Sequence, residues 1–174
     1  MAQIIGYIAT SLDGFIADQD NGIDWLTAFD GMDLGEHDNA VFLEGIDTVV
    51  MGRATYDFLA ALDMPWPYAG KRSIVVTSRP LPEPCAPLET RSDIDALIGE
   101  LRGLPGDVWM LGGGRLQMAF LERGALDAIE IYVMPVLIGG GRPLFPPTGL
   151  SANARLVSVK ALDRGCVRLH YAFA

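Results

Sequence analysis

Apolar positions along the chain keep two rhythms: short unbroken runs of strand length, and stretches with the three-and-four spacing of an amphipathic helix. The runs predict strands at residues 3–10, 48–51, 72–77, 108–111 and 127–138, with a brief one at 15–17. The helical spacing predicts helices at 36–44, with Ala40, Val41 and Leu43 inward, and at 54–62, with Tyr56 or Phe58 beside Leu59 and Leu62. A third helix opens at Ser92 as cap, with Asp95 completing a capping box, and buries Ile94, Leu97, Ile98 and Leu101. A fourth spans 115–123, carries Leu116, Ala119 and Phe120, and stops at Gly124.

In the long strand Ile129, Ile131 and Val133 face one way and Glu130, Tyr132 and Met134 the other, and Pro135 suggests an edge or bulge. Residues 155–162 and 166–173 both alternate, and Asp163 to Gly165 turns between them, so the chain closes in a hairpin. Prolines keep 64–70 and 78–87 irregular. Strands alternate with helices until that hairpin, which predicts an α/β domain, residues 1–174, with a mostly parallel sheet and an antiparallel edge.

The strand at 108–111 runs into Gly112, Gly113 and Gly114 and then a helix. A helix start behind a glycine turn offers free amides and a positive dipole end to an anion such as a pyrophosphate. A purely structural strand-to-helix turn is the other reading. Gln117 stands where a Rossmann fingerprint needs its last glycine, and no Gly-Lys-Ser/Thr follows, so neither common nucleotide motif is present. The second triplet, Gly139 to Gly141, precedes no periodic helix and reads as a loop. Asp18 to Gly22 has acidic spacing, but its glycine comes early and Phe29 replaces the bidentate glutamate of a calcium loop, so it reads as a solvated turn.

A net charge of −9 argues against nucleic acid or an anionic membrane as partner. It leaves room for a phosphorylated small molecule, because Arg53, Arg79 and Arg115 stand at strand exits. Two cysteines, Cys85 and Cys166, make no disulfide framework, and no run resembles a signal peptide or membrane span, so a cytoplasmic setting is expected. His37 and His170 lack metal spacing with each other or with the cysteines, and no nucleophile elbow occurs. Neither a metal site nor hydrolase chemistry is expected.

Three pieces then stand in order: Val50 to Tyr56 with Met51, Gly52, Arg53 and Thr55; Val76, Thr77, Ser78 and Arg79; and Leu111 to Arg115. Ala9 to Gly14, Asp127, Pro135 to Gly141, and Leu144 with Phe145 accompany them. Together they resemble the dihydrofolate reductase-like family, most closely the reductase domain of riboflavin biosynthesis. The resemblance spans the chain and implies a single mixed-sheet domain, helices on both faces, and an NADPH-dependent reductase of a small pterin- or pyrimidine-like heterocycle. It implies that Leu111, Gly112, Gly113, Gly114, Arg115 and Leu116 wrap the pyrophosphate, with a cis bond at Gly112–Gly113. Gly52, Arg53, Ala54 and Thr55 would approach the phosphates. Thr77, Ser78 and Arg79 would hold the 2′-phosphate, where charge-assisted donors suit a dianion. The nicotinamide would lie by Ala9, Thr10 and the loop from Asp13. Asp13, and Glu36 or Asp38 on the next helix, with Asp33 close, are the carboxylates implied for the acceptor.

The flavin-pathway reductases carry a lysine where this chain has Tyr7, and Asp24-Trp25 replaces the Pro-Trp of the folate enzymes. A nucleotide-binding protein without catalysis is the alternative function. Tyr132, Val136 and Leu137 are candidates for an apolar edge in a homodimer.

Overall fold

The computed structural model describes residues 2–173. In chain order the elements are β1 (Ile4–Ser11), β2 (Phe15–Ala17), α1 (Asp24–Thr27), α2 (Asn39–Glu44), β3 (Ile46–Gly52), α3 (Arg53–Ala60), β4 (Arg72–Val76) and β5 (Glu89–Arg91). Then follow α4 (Ile94–Arg102), β6 (Asp107–Gly112), α5 (Gly114–Leu121), β7 (Ala128–Met134), β8 (Arg142–Pro143), β9 (Ala154–Ala161) and β10 (Val167–Phe173). Eight strands form one sheet in the order β5-β4-β3-β6-β1-β7-β10-β9. Every pairing from β5 across to β7 is parallel. The β7–β10 and β10–β9 pairings are antiparallel, which gives the mixed sheet expected.

Strand alternation divides the core between the two sheet faces. On one side α4 and α5 cover Ile4, Val50, Ile74 and Met110 with Leu97, Leu101 and Phe120. On the other, Tyr7, Val49, Met51, Trp109 and Tyr132 pack with Tyr56 of α3 and Phe42 and Leu43 of α2. The alternation of β7 is as the sequence predicts, with Ile129 and Ile131 in one cluster and Tyr132 and Met134 in another.

The predicted helix at 36–44 is broken. A short 3-10 turn spans Gly35–His37, Asp38 is extended, and its carboxylate caps α2 by accepting from the Ala40 amide at 2.8 Å. Leu43 packs inward as expected, but Ala40 and Val41 are exposed and Phe42 packs inward with Leu43. At α4 the cap is Asp93 rather than Ser92. The first helical residue is Ile94, and the Asp93 carboxylate accepts from the Ala96 amide at 3.0 Å. Leu62 lies beyond the end of α3 and is exposed.

The strand at 127–138 ends at Met134 and lies between β1 and β10, so Pro135 follows an interior strand rather than marking an edge. Tyr132 is only 2% exposed and Val136 packs on the core, so Leu137 alone of the three edge candidates is open. The edge strands are β5 and β9, and on β9 Leu156, Val157 and Val159 are exposed. Short β5 and β8 carry no periodicity and were not predicted. No helix is long and apolar enough to cross a membrane, and no metal-holding cluster occurs among the described residues.

One charged network joins β4, β5 and α4. Arg72 donates to Glu89 at 2.7 and 2.8 Å and also to Glu100, and Arg91 donates to both glutamates. The Arg72 hydrogen bonds hold the Glu89 carboxyl down from 4.5 to about 2. A depressed carboxyl contributes stability that is present above its unfolded value and is lost as pH falls through the folded value. Urea midpoints should therefore drop between about pH 4.5 and 2. Glu89→Gln should be less stable than the parent at pH 7 and show a shallower acid decline; parallel curves would remove the network as the cause. Partial exposure of the pair keeps the effect modest.

Candidate functional site

The parallel strands end together, and ligands of open α/β sheets bind beyond such carboxyl ends. β3 ends at Gly52, which caps α3, and β6 ends in the turn whose Gly113 caps α5. Neither cap residue has a side chain to bond the first-turn amides; at α5 the Leu116 amide donates to the Gly113 carbonyl at 3.0 Å, which leaves the Gly114 and Arg115 amides for a ligand. The two helix starts adjoin: a Cβ on Gly52 would stand 3.8 Å from the Gly112 carbonyl oxygen and 3.9 Å from the Gly113 nitrogen. A Cβ on Gly113 would meet nothing nearer than the Thr55 hydroxyl at 3.8 Å, so Gly113 faces open space with Thr55 beside it. The Gly112–Gly113 peptide is cis, as the resemblance implies.

This double helix start opens into a cavity of about 1350 Å³. Its glycine end is lined by Gly52, Arg53, Ala54, Thr55, Gly113, Gly114, Arg115 and Leu116, and Ala9 and Leu111 line it as well. Gly112 lies behind this lining. Thr77, Ser78 and Arg79 also stand outside it, on the turn after β4. There the Thr77 hydroxyl accepts from the Arg79 amide at 3.1 Å, and Ser78 and Arg79 are exposed. Arg53 joins this turn to α3: Nε donates to Asp57 at 2.7 Å and Nη1 donates to the Pro80 carbonyl at 3.2 Å.

Of the three carboxylates marked for the acceptor, only Asp38 lines the cavity. Asp13 instead accepts from the Ile138 and Gly139 amides at 3.2 and 2.8 Å, clasping the second glycine triplet. The Ser11 hydrogen bond leads the contacts that lower its carboxyl below the usual range. Glu36 points to solvent and pairs with Lys160 at 2.6 Å, which likewise holds its carboxyl low. Asp33 does not line the cavity either; its amide donates to Asp163 at 3.3 Å. The break at Asp38 causes this sorting, because the extended residue turns its side chain away from the face that Glu36 occupies.

The second triplet is structural in a specific way. Gly141 has φ +145°, and a Cβ there would fall 2.1 Å from the Ala17 carbonyl, so only glycine lets β8 lie against β2. The arm then brings Arg142, Pro143 and Pro146 to the cavity wall.

The sequence reading missed the far end of the cavity. Tyr7, Trp109, Tyr132 and Met134 form its floor, and Leu26, Phe29, Met32, Leu34 and Asn39 surround it. The Tyr7 and Tyr132 hydroxyls both contact the His37 carbonyl at 2.9 Å, and Tyr132 also reaches Glu130 at 3.1 Å. Burial pushes the Tyr7 hydroxyl up to about 12 and the Tyr132 hydroxyl higher, so both stay protonated. Behind the floor Arg168 donates to Glu130 at 2.8 Å. Burial works against the Glu130 charge, but Arg168 outweighs it and the carboxyl stays below its usual range. Burial, then the charges of Arg168 and Lys160, lower His37. The alternation of β7 already pointed Tyr132 and Met134 to one face; no sequence signal said that a cavity lay there.

The RibD C-terminal domain model matches residues 2–168. The chain belongs to the RibD C-terminal domain family. Among relatives in that family, the uncharacterized Bacillus subtilis protein YwjB is 35% identical over 167 residues, covering 95% of this chain and 94% of its own. A Shewanella sp. PV-4 protein, provisionally assigned to riboflavin biosynthesis, superposes with a TM-score of 0.86 at 28% identity, covering 100% of this chain and 99% of its own. Dihydrofolate reductase from Enterococcus faecalis, solved with NADP(H), has a TM-score of 0.67 at 17% identity over 98% of this chain and 96% of its own, a likeness of fold. The RibD-domain chain thus has the dihydrofolate reductase-like fold and the architecture of a reductase.

Proposed function

We propose that this RibD-domain protein is an NADPH-dependent reductase of a small heterocycle. The observation that carries the reading is the pair of uncapped helix starts at Gly52 and Gly113, set side by side at one end of a cavity with Thr55 and Arg53. Backbone amides and a positive dipole end suit a pyrophosphate, and a Cβ at Gly113 would occupy its seat. Arg115 adds charge from the rim, and Ser78 with Arg79 supplies donors for a 2′-phosphate on the adjoining turn. Ala9 of β1 and Ile16 and Ala17 of β2 line the cavity where the nicotinamide would meet the acceptor.

When bound, the coenzyme supplies two electrons and a hydrogen to the acceptor ring, whose matching proton comes from solvent. The chain itself positions, desolvates and orients. Asp38 accepts hydrogen bonds from ring N–H groups. Leu26, Phe29 and Met32 keep bulk water from the aromatic floor. Asp13 holds the second triplet against β2 and so shapes the wall, while Glu36 stays outside the chemistry.

Thermal melts at matched concentrations test the coenzyme, because stabilisation follows affinity by mass action. NADPH and NADP should raise the melting temperature well above any shift from NADH or NAD. Equal shifts for NADH and NADPH would overturn the role of Ser78 and Arg79, and no shift with any of the four would overturn the reductase reading.

A further inference from the structure

We propose that the far end of the cavity selects a planar aromatic acceptor bearing no phosphate or carboxylate. The inference rests on the reductase reading of the same site.

The floor is an aromatic platform. Tyr7 lies 4.6 Å from Tyr132 and 6.0 Å from Trp109, centroid to centroid. Both tyrosine hydroxyls are tied to the His37 carbonyl, so the floor offers ring surface rather than polar groups. Phe29 and Met32 line the same end. Such walls reward flat, polarisable rings through area and stacking.

The charges favour the same class. Asp30 and Asp38 line this end, and among the described lining residues the cations are Arg53, Arg115 and Arg142, on the helix starts and the β8 arm. The nearby cations outside the lining are already engaged: Arg168 by Glu130 at 2.7 Å, Lys160 by Glu36 at 2.6 Å, and Arg164 by Asp163 at 3.8 Å and the Asp30 carbonyl at 3.4 Å. An anionic substituent would lose hydration here, would gain no charged donor but only a neutral amide such as that of Asn39, and would stand near two carboxylates. A ring with amino or N–H groups instead meets an acceptor that is itself fixed by the Ala40 amide at 2.8 Å.

The test is calorimetric titration of the full chain, saturated with NADP, using two matched pairs. One pair is 5-amino-6-ribitylaminouracil and its 5′-phosphate; the other is 6-methyl-7,8-dihydropterin and 7,8-dihydrofolate. In at least one pair the uncharged member should bind at least tenfold tighter than its anionic partner, and in neither pair should the anion win. Asp38→Asn keeps an N-capping side chain, so the fold should persist while affinity for the uncharged ring falls at least tenfold. Tighter binding of an anionic member in either pair, a tenfold preference for the uncharged member in neither pair, or no binding of either uncharged ring at millimolar concentration, would overturn the inference. Those results leave the coenzyme reading intact if NADPH still stabilises the protein. Should no coenzyme bind, the same pairs titrated into the protein alone still rank the acceptors.

Discussion

Gly113→Ala is expected to weaken NADPH binding at least tenfold while leaving the protein folded. The glycine has φ −77°, within the range of any L residue, and its new methyl would meet nothing nearer than the Thr55 hydroxyl at 3.8 Å. Space that the fold leaves open is space the pyrophosphate would need. A tenfold loss corresponds to about 1.4 kcal/mol, a small penalty for a methyl placed against a phosphate seat. The neighbouring residue supplies the contrast. A Cβ on Gly114 would fall 2.7 Å from the Pro143 carbonyl oxygen and 2.8 Å from that of Leu144, both backbone atoms that cannot rotate away. Gly114→Ala should therefore lose more thermal stability than Gly113→Ala. Coenzyme titrations and melts on the two variants read both effects, and a Gly113→Ala protein that binds NADPH as the parent does would move the phosphate seat elsewhere.

The second large effect lies beneath the aromatic floor. Arg168 is 7% exposed in its side chain and Glu130 16%, and the guanidinium binds both carboxylate oxygens while Nη1 donates to the Ser158 hydroxyl at 3.0 Å. Arg168→Met would strand the carboxylate in a dry setting. Breaking a buried pair this way costs about 3–5 kcal/mol, and at about 2–4 °C per kcal/mol for a chain of this size the melting temperature should fall by roughly 6–20 °C. The pH dependence has a definite sign. Without its partner the buried Glu130 carboxyl rises above its unfolded value, so the native state binds the extra proton and stability falls as pH increases. Arg168→Met should thus be less impaired at pH 5 than at pH 8, and adding Glu130→Gln should recover much of the loss. Denaturant midpoints for the single and double variants decide it; a double variant as weak as the single would assign the loss to packing instead.

What was legible in the sequence were features that act locally. The parallel strands, the α4 face of Leu97 and Leu101 and the closing hairpin follow from periodicity, and the glycine turn before α5 follows from backbone freedom. The break at Asp38 was hidden because a run of residues compatible with helix gives no sign that one member will be extended. That break decides which carboxylate enters the cavity, so Glu36 and Asp38, alike on paper, separate in space. Asp13 was conspicuous because its loop resembles a site loop. Its use as a clasp for Gly139 depends on a segment far along the chain, and pairing at that distance leaves no local mark. The aromatic floor was likewise unreadable as a site, since Tyr7, Trp109 and Tyr132 each look like ordinary core until the topology brings them together.

The strand order has a consequence for assembly of the chain during synthesis. β1 is made before the other strands of its sheet, yet its partners on either side are β6 and β7. An emerging chain that stops short of residue 107 therefore carries a sticky apolar ribbon whose both edges lack mates. Closure must await contacts between residues as far apart as Ile4 and Val108, the kind of distant pairing that slows folding and invites clumping. Nascent fragments of this protein should accordingly lean on holdases until the central strand is flanked.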